Sequence, residues 1–395
     1  LDCPRALSIW LMFSHNEHDQ LAAIKFDPLH YNGVDDARNS YLATKYLSKF
    51  DSLSLTKDKE TAAYEKFDLF EQQCGRTNAR FKHGGDPLFS EGLTWLHSAV
   101  KRKIHQMLGD FDPEEWIQSC SWGPGATSTL PRAQASASKK FQSQTGMTRD
   151  LYSLLPLSLI GKAYPLWVRE MVWRESDPVQ FGPNFPISFL VGNKVVTVPK
   201  DSSIDRMIAI EPPLNLWFQK GLGDCIGRRL LRVGVNLRNQ TTNGKLARLG
   251  SISGELATVD LSSASDSIAT ELVRELLPSD WFMVLDSCRS HYGLVRDKWV
   301  RWEKFSSMGN GFTFQLESLI FYACAVAARE YVGSDDRVNV YGDDIIIPTS
   351  AYSTFSKLMG FYGLRSTNLR AFSARGSARV VVPIGSKGRT SNRPT

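Results

Sequence analysis

The chain has 395 residues, 42% hydrophobic and 22% charged, a balance that suits two or three subdomains around a substantial core and argues against a disordered or fibrous protein. The stretch from Ala6 to Phe13 has no basic leader or small-residue cleavage site and is too short to span a bilayer, so a cytoplasmic protein without a membrane span is expected. Cys3, Cys74, Cys120, Cys225, Cys288 and Cys324 form no C-x-x-C pair, which argues against a zinc ribbon or a disulfide framework and predicts reduced thiols, while the formal charge of +6 gains meaning only from its location.

Residues 1 to about 185 mix short helical patterns with Gly, Pro and Ser punctuation, and no repeat period runs through them. His15-Asn16-Glu17-His18 matches no zinc spacing and is expected to be a polar loop. Trp122-Gly123-Pro124-Gly125-Ala126-Thr127 could wrap a phosphate with backbone N–H groups. It lacks the Gly-Lys-Ser/Thr that completes a P-loop, and a turn is the better reading. From Lys194 to Arg248 ten Lys or Arg face four acids, and from Arg365 to Thr395 seven basic residues face none. Two basic segments therefore sit on a mildly acidic body, and the first could receive a polyanion.

The most informative stretch begins near residue 251. Leu256-Ala257-Thr258-Val259-Asp260 alternates as a strand does and ends on a carboxylate. A helix is predicted next, with Ser262, Ser263, Ser265 and Asp266 as capping candidates, an apolar face at Ile268, Leu272 and Leu276, and a stop at Pro278. Met308-Gly309-Asn310-Gly311-Phe312-Thr313 then leads into a broadly apolar helix over residues 314–331, the glycines allowing close backbone approach to a ligand. Two β-branched runs flank Gly342-Asp343-Asp344 within residues 338–347, a hairpin signal with acids at the turn.

Adjacent carboxylates repel unless something neutralises them, and a hard divalent cation with oxygen ligands does so naturally. Asp260, at the end of a second strand, would complete a cluster of three with Asp343 and Asp344. Three carboxylates with an open face are what two-metal phosphoryl transfer requires, with ions about 4 Å apart, and Mg²⁺ keeps positions for substrate phosphates. Lys200 and Arg206 could neutralise a triphosphate, one as a point charge and one as a bidentate fork.

Val198-Pro199-Lys200 with Arg206 and Glu211-Pro212, then Ala257 to Ser267, then Met308 to Phe314 with Leu316-Glu317-Ser318, then Tyr341-Gly342-Asp343-Asp344, occur in an order and spacing that closely resemble the replicase β subunit of small RNA bacteriophages (leviviruses, Qβ type) over roughly residues 80 to 370. The resemblance implies an α+β right-hand polymerase fold with fingers and a split βαβ palm. It divides the chain into an N-terminal region and fingers over 1–250, a palm over 251–365 and an aberrant tail over 366–395. It also implies template-directed RNA synthesis from NTPs, with Asp260, Asp343 and Asp344 as catalytic metal ligands for two Mg²⁺ ions, Mn²⁺ being a possible substitute. Ser265 and Asp266 would lie near the incoming ribose, Gly309, Asn310 and Thr313 near template and sugar, and Lys200 and Arg206 near the triphosphate. Such replicases work on an RNA template in the cytoplasm of the infected bacterial host, with elongation factors Tu and Ts and a ribosomal protein as partners and no membrane. An inactive RNA-binding fragment is the alternative outside catalysis, and a reverse transcriptase the alternative within it.

The sequence departs from that family at its end. It stops about fifty residues after the hairpin, where the family continues into a thumb-like region, so a truncated or absent thumb is expected. Arg370 lies where the family would offer a lysine as general acid, and arginine is a poor proton donor. From Arg365 onward the composition offers few core-forming residues and a disordered appendage is expected. Back-translation of Ser377 to Pro394 with suitable synonymous codons, read two nucleotides later, can give the family-like Phe-Arg-Glu-Ser-Cys-Gly followed by Ala-His-Trp-Phe-Lys-Gly. The tail is thus predicted to be a frameshifted reading of the family's own sequence; sequencing the coding nucleic acid tests this, and codons that forbid the second reading rule it out.

Overall fold

The computed structural model describes residues 3–27, 30–31, 33–50, 52–82, 91–143, 145–169 and 187–370. The fold is mixed α+β. Helices α1 (Pro4–Ser14), α2 (His18–Ala23) and α3 (Val34–Leu47) come first and close on a small cluster of Leu21, Leu47 and Leu53. Long helices α4 (Lys59–Lys82) and α5 (Glu91–Leu108) and the short α6 (Pro113–Ser119) follow, then strand β1 (Thr145–Met147), which pairs in parallel with β2 (Ile187–Phe189). Among the described residues no helix is long and apolar enough to cross a membrane.

Two four-stranded sheets carry the rest. The first has the order β4-β3-β6-β7, built from β3 (Asn193–Pro199), β4 (Asp205–Ile210), β6 (Tyr292–Val295) and β7 (Lys298–Arg301). The second has the order β10-β5-β9-β8, from β5 (Leu256–Leu261), β8 (Asn339–Tyr341), β9 (Asp344–Pro348) and β10 (Ser366–Arg370), with every neighbour antiparallel. In chain order this second sheet runs strand, helices, strand, strand, helix, strand, with β9 inserted between the parallel β5 and β8. The helices are α7 (Pro213–Arg232) and α8 (Thr241–Ser253) before β5, α9 (Thr270–Leu276), α10 (Ser279–Cys288) and α11 (Thr313–Tyr331) after it, and α12 (Tyr352–Phe361) between β9 and β10.

The sequence explains these placements. On β5, Ala257, Val259 and Leu261 face the main core while Thr258 and Asp260 alternate outward. On β9 all three isoleucines are buried: Ile345 and Ile347 join the main core, and Ile346 points to the opposite face, where α8 packs against β5 and β9. A Cβ at Gly250 would sit 2.5 Å from the Leu256 carbonyl oxygen, so only glycine lets α8 approach that closely. Helix α11 is covered nearly all round, with Leu316, Leu319, Ile320, Ala323 and Cys324 at or below 1% exposure, and packs on α5, α7 and the hairpin strands. It begins at Thr313, one residue before the sequence pattern places it.

Two expectations change in detail. The helix expected directly after Asp260 is a 3₁₀ turn over Ala264–Asp266 followed by α9, because Ser263 takes a left-handed φ of 50° and Ser267 turns its hydroxyl back to the Ser263 carbonyl at 2.6 Å. Of the tail expected to be aberrant from residue 366, the first five residues pair with β5 as β10, with Thr367 opposite Asp260 and Arg370 opposite Thr258. Residues 371–395, and with them the proposed frameshift, lie outside the described residues.

A buried polar hub ties helix α7 to the segment after β1, the end of α10 and the turn before α11. Asn215 at the start of α7 accepts from the Thr148 N–H at 2.9 Å and donates to Thr148 Oγ1 at 2.8 Å and to the Cys288 carbonyl at 2.9 Å. Its neighbour one turn on, Gln219, donates to the same carbonyl at 2.9 Å and accepts from the Gly311 N–H at 3.0 Å. Asn215→Ala strips partners from buried groups at about 1–3 kcal/mol each and is expected to lower stability by about 2–4 kcal/mol. Urea unfolding measures this, and an unchanged midpoint would count against the hub.

Candidate active site

Strand register brings the three aspartates to one end of the sheet. β5 pairs with β9 up to Val259 opposite Ile345, so Asp260 and Asp344 occupy the next step of the same ladder, and Asp343 sits in the turn between β8 and β9. That turn is tight: Gly342 has φ 62°, its N–H donates to Ser318 Oγ at 3.0 Å, and a Cβ there would collide with the Phe314 ring. From α8, Asn243 donates to the Asp344 carbonyl at 2.7 Å, and Gln240, which precedes the helix, donates to Asp344 Oδ2 at 3.2 Å.

Electrostatics report the same grouping. Partial desolvation, then the neighbouring charges of Asp344 and Asp260, push the Asp343 carboxyl up from the ordinary carboxylate range, and Arg206 pulls against them. Glu317, 6% exposed on α11, is raised well above its usual value by burial first and then by Asp343 and Asp266. The donor set is all oxygen with excess negative charge, which fits a hard divalent cation such as Mg²⁺. Among the described residues no three His, Cys, Asp or Glu side chains converge as a ready-made metal cage.

The cationic candidates lie on the neighbouring sheet. Arg206 and Lys200 are exposed at adjoining ends of β4 and β3, where Val198 pairs with Arg206. The Ala209 N–H of β4 donates to the Met308 carbonyl at 2.8 Å, and Gly309, with φ 111°, comes so close that a Cβ would collide with the Ala209 carbonyl oxygen. This contact joins the strand of Arg206 to the Met308–Thr313 turn. Within the turn, Asn310 Oδ1 accepts from the Phe312 N–H at 3.1 Å and Thr313 Oγ1 donates to the Ser307 carbonyl at 2.8 Å, so both side chains serve the turn itself. Asp266 forms an ion pair with Lys304 at 2.9 Å, and Ser265 is half-buried on the same 3₁₀ turn.

Several side chains here escape a reading by motif. Lys66 on α4 is half-buried; desolvation and then Lys200 lower its pKa, while Asp266, Asp201 and Asp260 oppose that shift. Gln240, Asn243 and Lys304 carry no sequence signal. Glu317 does: it is an acid within an otherwise apolar helix. The remaining singled-out motifs are structural. His18 Nδ1 accepts from the Ser54 N–H at 2.8 Å, and the Gly123 carbonyl accepts from the buried Lys140, whose ammonium lies 5.8 Å from the Trp122 ring. All six cysteines are free thiols, four of them buried. Within the basic segment, Arg228 and Arg229 pair with Glu115, and Lys220 lies 3.5 Å from Asp224.

The family model described as "RNA replicase, beta-chain" matches residues 16–379. The RNA-directed RNA polymerase subunit beta of Qbeta virus strain MX1 is 41% identical over 344 residues, covering 86% of this chain and 56% of that protein. The RNA-directed RNA polymerase beta chain of Escherichia phage MS2 is 34% identical over 375 residues, covering 94% of this chain and 65% of that protein. The chain therefore spans less than two thirds of the length of these relatives. A solved RNA polymerase complex inside a double-stranded-RNA virus is similar at a TM-score of 0.39 and 11% identity, over 85% of this chain and 33% of that one.

Gly309→Ala tests the contact that joins β4 to the Met308–Thr313 turn. The added Cβ meets backbone, which cannot swing aside, and the φ of 111° disfavours any side chain. A loss of about 1–3 kcal/mol in urea unfolding is expected, and a variant as stable as the parent would refute the close approach.

Proposed function

The chain belongs to the RNA replicase β-chain family, and from that premise we propose that it is the catalytic part of an RNA-directed RNA polymerase that copies phage RNA in the cytoplasm of the infected bacterium. The observation that supports this reading is the strand register that brings Asp260, Asp343 and Asp344 to one end of a sheet, with Arg206 acting on Asp343 from the next. On this reading the β10-β5-β9-β8 sheet with its helices is a split βαβ palm over about 251–365, and residues 1–250 form the N-terminal region and fingers.

Asp260 and Asp343, with Asp344 as auxiliary ligand, would hold Mg²⁺, which when bound activates the attacking 3′-hydroxyl and stabilises the leaving oxygen. The chain's own work is positioning and charge. Arg206 and Lys200 are placed to receive the triphosphate, Arg206 as a bidentate fork and Lys200 as a point charge. Asp266 offers an acceptor to a ribose hydroxyl, with Ser265 beside it. Gly309 lets the Met308–Thr313 backbone lie close to β4, and Asn310 and Thr313 fix that turn beside template and sugar. Elongation factors Tu and Ts and a ribosomal protein are the expected host partners.

The test is Mg²⁺-dependent incorporation of labelled NTPs on a phage-like RNA template by this chain, its Asp343→Asn variant and a version extended in the restored frame, each with and without host factors. Asp343→Asn is expected to lose activity by about 10²-fold or more. Undiminished activity in that variant would overturn the assignment. Activity in the extended version alone would locate the missing requirement beyond this chain. RNA binding with steep salt dependence but no incorporation in any version would favour the RNA-binding fragment, and preference for dNTPs a reverse transcriptase.

A further inference from the structure

Lys304 is one of the most deeply buried side chains of the protein, 1% exposed, and it carries a charge. Its ammonium lies 2.9 Å from Asp266 Oδ1, 3.4 Å from the centroid of the Phe67 ring and 4.9 Å from that of Trp302. Aromatic faces attract a cation through their quadrupoles, and more strongly where water is excluded. The surrounding backbone is fixed from two sides. Glu71 on α4 accepts from the Glu303 N–H and, at 3.4 Å, from the Lys304 N–H; Asn78 donates to the Glu303 carbonyl at 2.7 Å; and Phe305 N–H donates to the Ile268 carbonyl at 2.8 Å.

Asp266 is pinned as well. Its N–H donates to the Ser263 carbonyl at 2.9 Å and its carbonyl accepts from Cys74 Sγ at 3.5 Å, while its side chain remains 17% exposed. Stability is a weak reason for such an arrangement, since well-packed hydrophobic replacements of buried ion pairs are often neutral or stabilising. What the pair does supply is a fixed direction for a partly open carboxylate.

We propose that Lys304 is a positioning residue for sugar selection: its buried ammonium takes one oxygen of Asp266 and thereby aims the carboxylate at the incoming ribose, so that preference for ribonucleotides depends on it. The inference rests on the polymerase reading above and extends it to a residue that touches neither substrate nor metal. An ionised carboxylate only accepts hydrogen bonds, and a sugar hydroxyl is a donor that a deoxyribose lacks at the 2′ position. Sites built to bond a hydroxyl reject the analogue without it by as much as about 10⁴-fold, but only while the partner group is held in place.

The experiment compares kcat/KM for single-nucleotide incorporation of an NTP and the matching dNTP in Mg²⁺, using the parent chain, Lys304→Met, Lys304→Arg, Asp266→Asn and the Lys304→Met/Asp266→Asn double variant. In Lys304→Met the NTP-to-dNTP ratio is expected to fall by about tenfold or more. In the Asp266→Asn background the same substitution is expected to leave the ratio where Asp266→Asn alone puts it, because residues acting through one another are not additive. A merely structural role would lower both nucleotides alike and leave the ratio intact, which would overturn the proposal, as would an equal fall in both backgrounds. Should Lys304→Met not fold, Lys304→Arg decides: its planar fork cannot occupy the same seat, so a several-fold drop in the ratio supports the proposal and an unchanged ratio refutes it. If the parent chain incorporates neither nucleotide, the same series is run in the version extended in the restored frame with host factors; incorporation by neither version fails the polymerase reading itself, an outcome distinct from a parent that discriminates normally and a variant that does so equally well.

Discussion

Three like charges held at one end of a sheet are the constraint around which the rest of this protein is arranged. Neighbouring carboxylates repel, and the cost registers at Asp343, whose carboxyl is raised by burial and then by the charges of Asp344 and Asp260. Asp260, Asp343 and Asp344 stay together because their backbones have no alternative. The ladder between β5 and β9 is fixed by Ala257, Val259, Ile345 and Ile347, whose burial forbids a one-residue slip. The Asp343 turn is fixed by Gly342, whose left-handed φ and contact with Phe314 leave no room for a side chain. Donors from Asn243 and Gln240, and Ser318 Oγ as acceptor for the Gly342 N–H, then hold the peptide and carboxylate groups of the turn. Apolar packing supplies the energy, and the polar contacts supply the address.

The same division of labour sets how the second sheet approaches. Apolar clusters on each sheet are separate: Val195, Met207, Phe67 and Trp302 form one, and the β5 and β9 side chains belong to another. What fixes the elements around them is a small number of satisfied polar contacts: the Ala209–Met308 hydrogen bond between β4 and the Met308–Thr313 turn, and the bonds of Asn215 and Gln219 to the Cys288 carbonyl. A hydrophobic contact tolerates sliding, whereas a buried amide with several partners does not. This is why the strand carrying Arg206 meets the Met308–Thr313 turn at one particular place.

Much of this was legible in the sequence, and what was not has a physical reason. β5, the acidic hairpin and α11 are local: alternation over five residues, a Gly-Asp turn and a long apolar run each declare themselves within one window. The 3₁₀ break after Asp260 was missed because serines that cap a helix can equally turn the chain back on itself, and the left-handed Ser263 does the latter. Lys66, Gln240, Asn243 and Lys304 were illegible because each matters through a partner far away in the chain, Lys66 through Lys200 and Lys304 through Asp266. Glu317 could have been found, since an acid inside a helix buried on nearly all sides needs a reason. The expectation of disorder from Arg365 erred over residues 366–370, where pairing with β5 takes in a segment with little apolar content of its own.

Counting charges along the chain misplaces where an anion would be received. Of the ten cations between Lys194 and Arg248, Arg228 and Arg229 are tied to Glu115 and Lys220 lies beside Asp224, so the segment's excess overstates what it offers a ligand. Arg206 and Lys200 matter for a different reason: they stand at adjoining strand ends, where Arg206 acts on Asp343 and Lys66 from α4 lies between the charges of Lys200 and Asp260. An isolated triphosphate would be drawn to the cations and repelled by the aspartates, and a bare divalent cation would meet the reverse. A nucleotide that carries its metal satisfies both fields at once, each partner screening the charge that would otherwise repel the other. On the proposed reading, this opposition of two charged sheet ends is itself a source of selectivity, favouring the metal–triphosphate complex over either component before any contact with base or sugar is made.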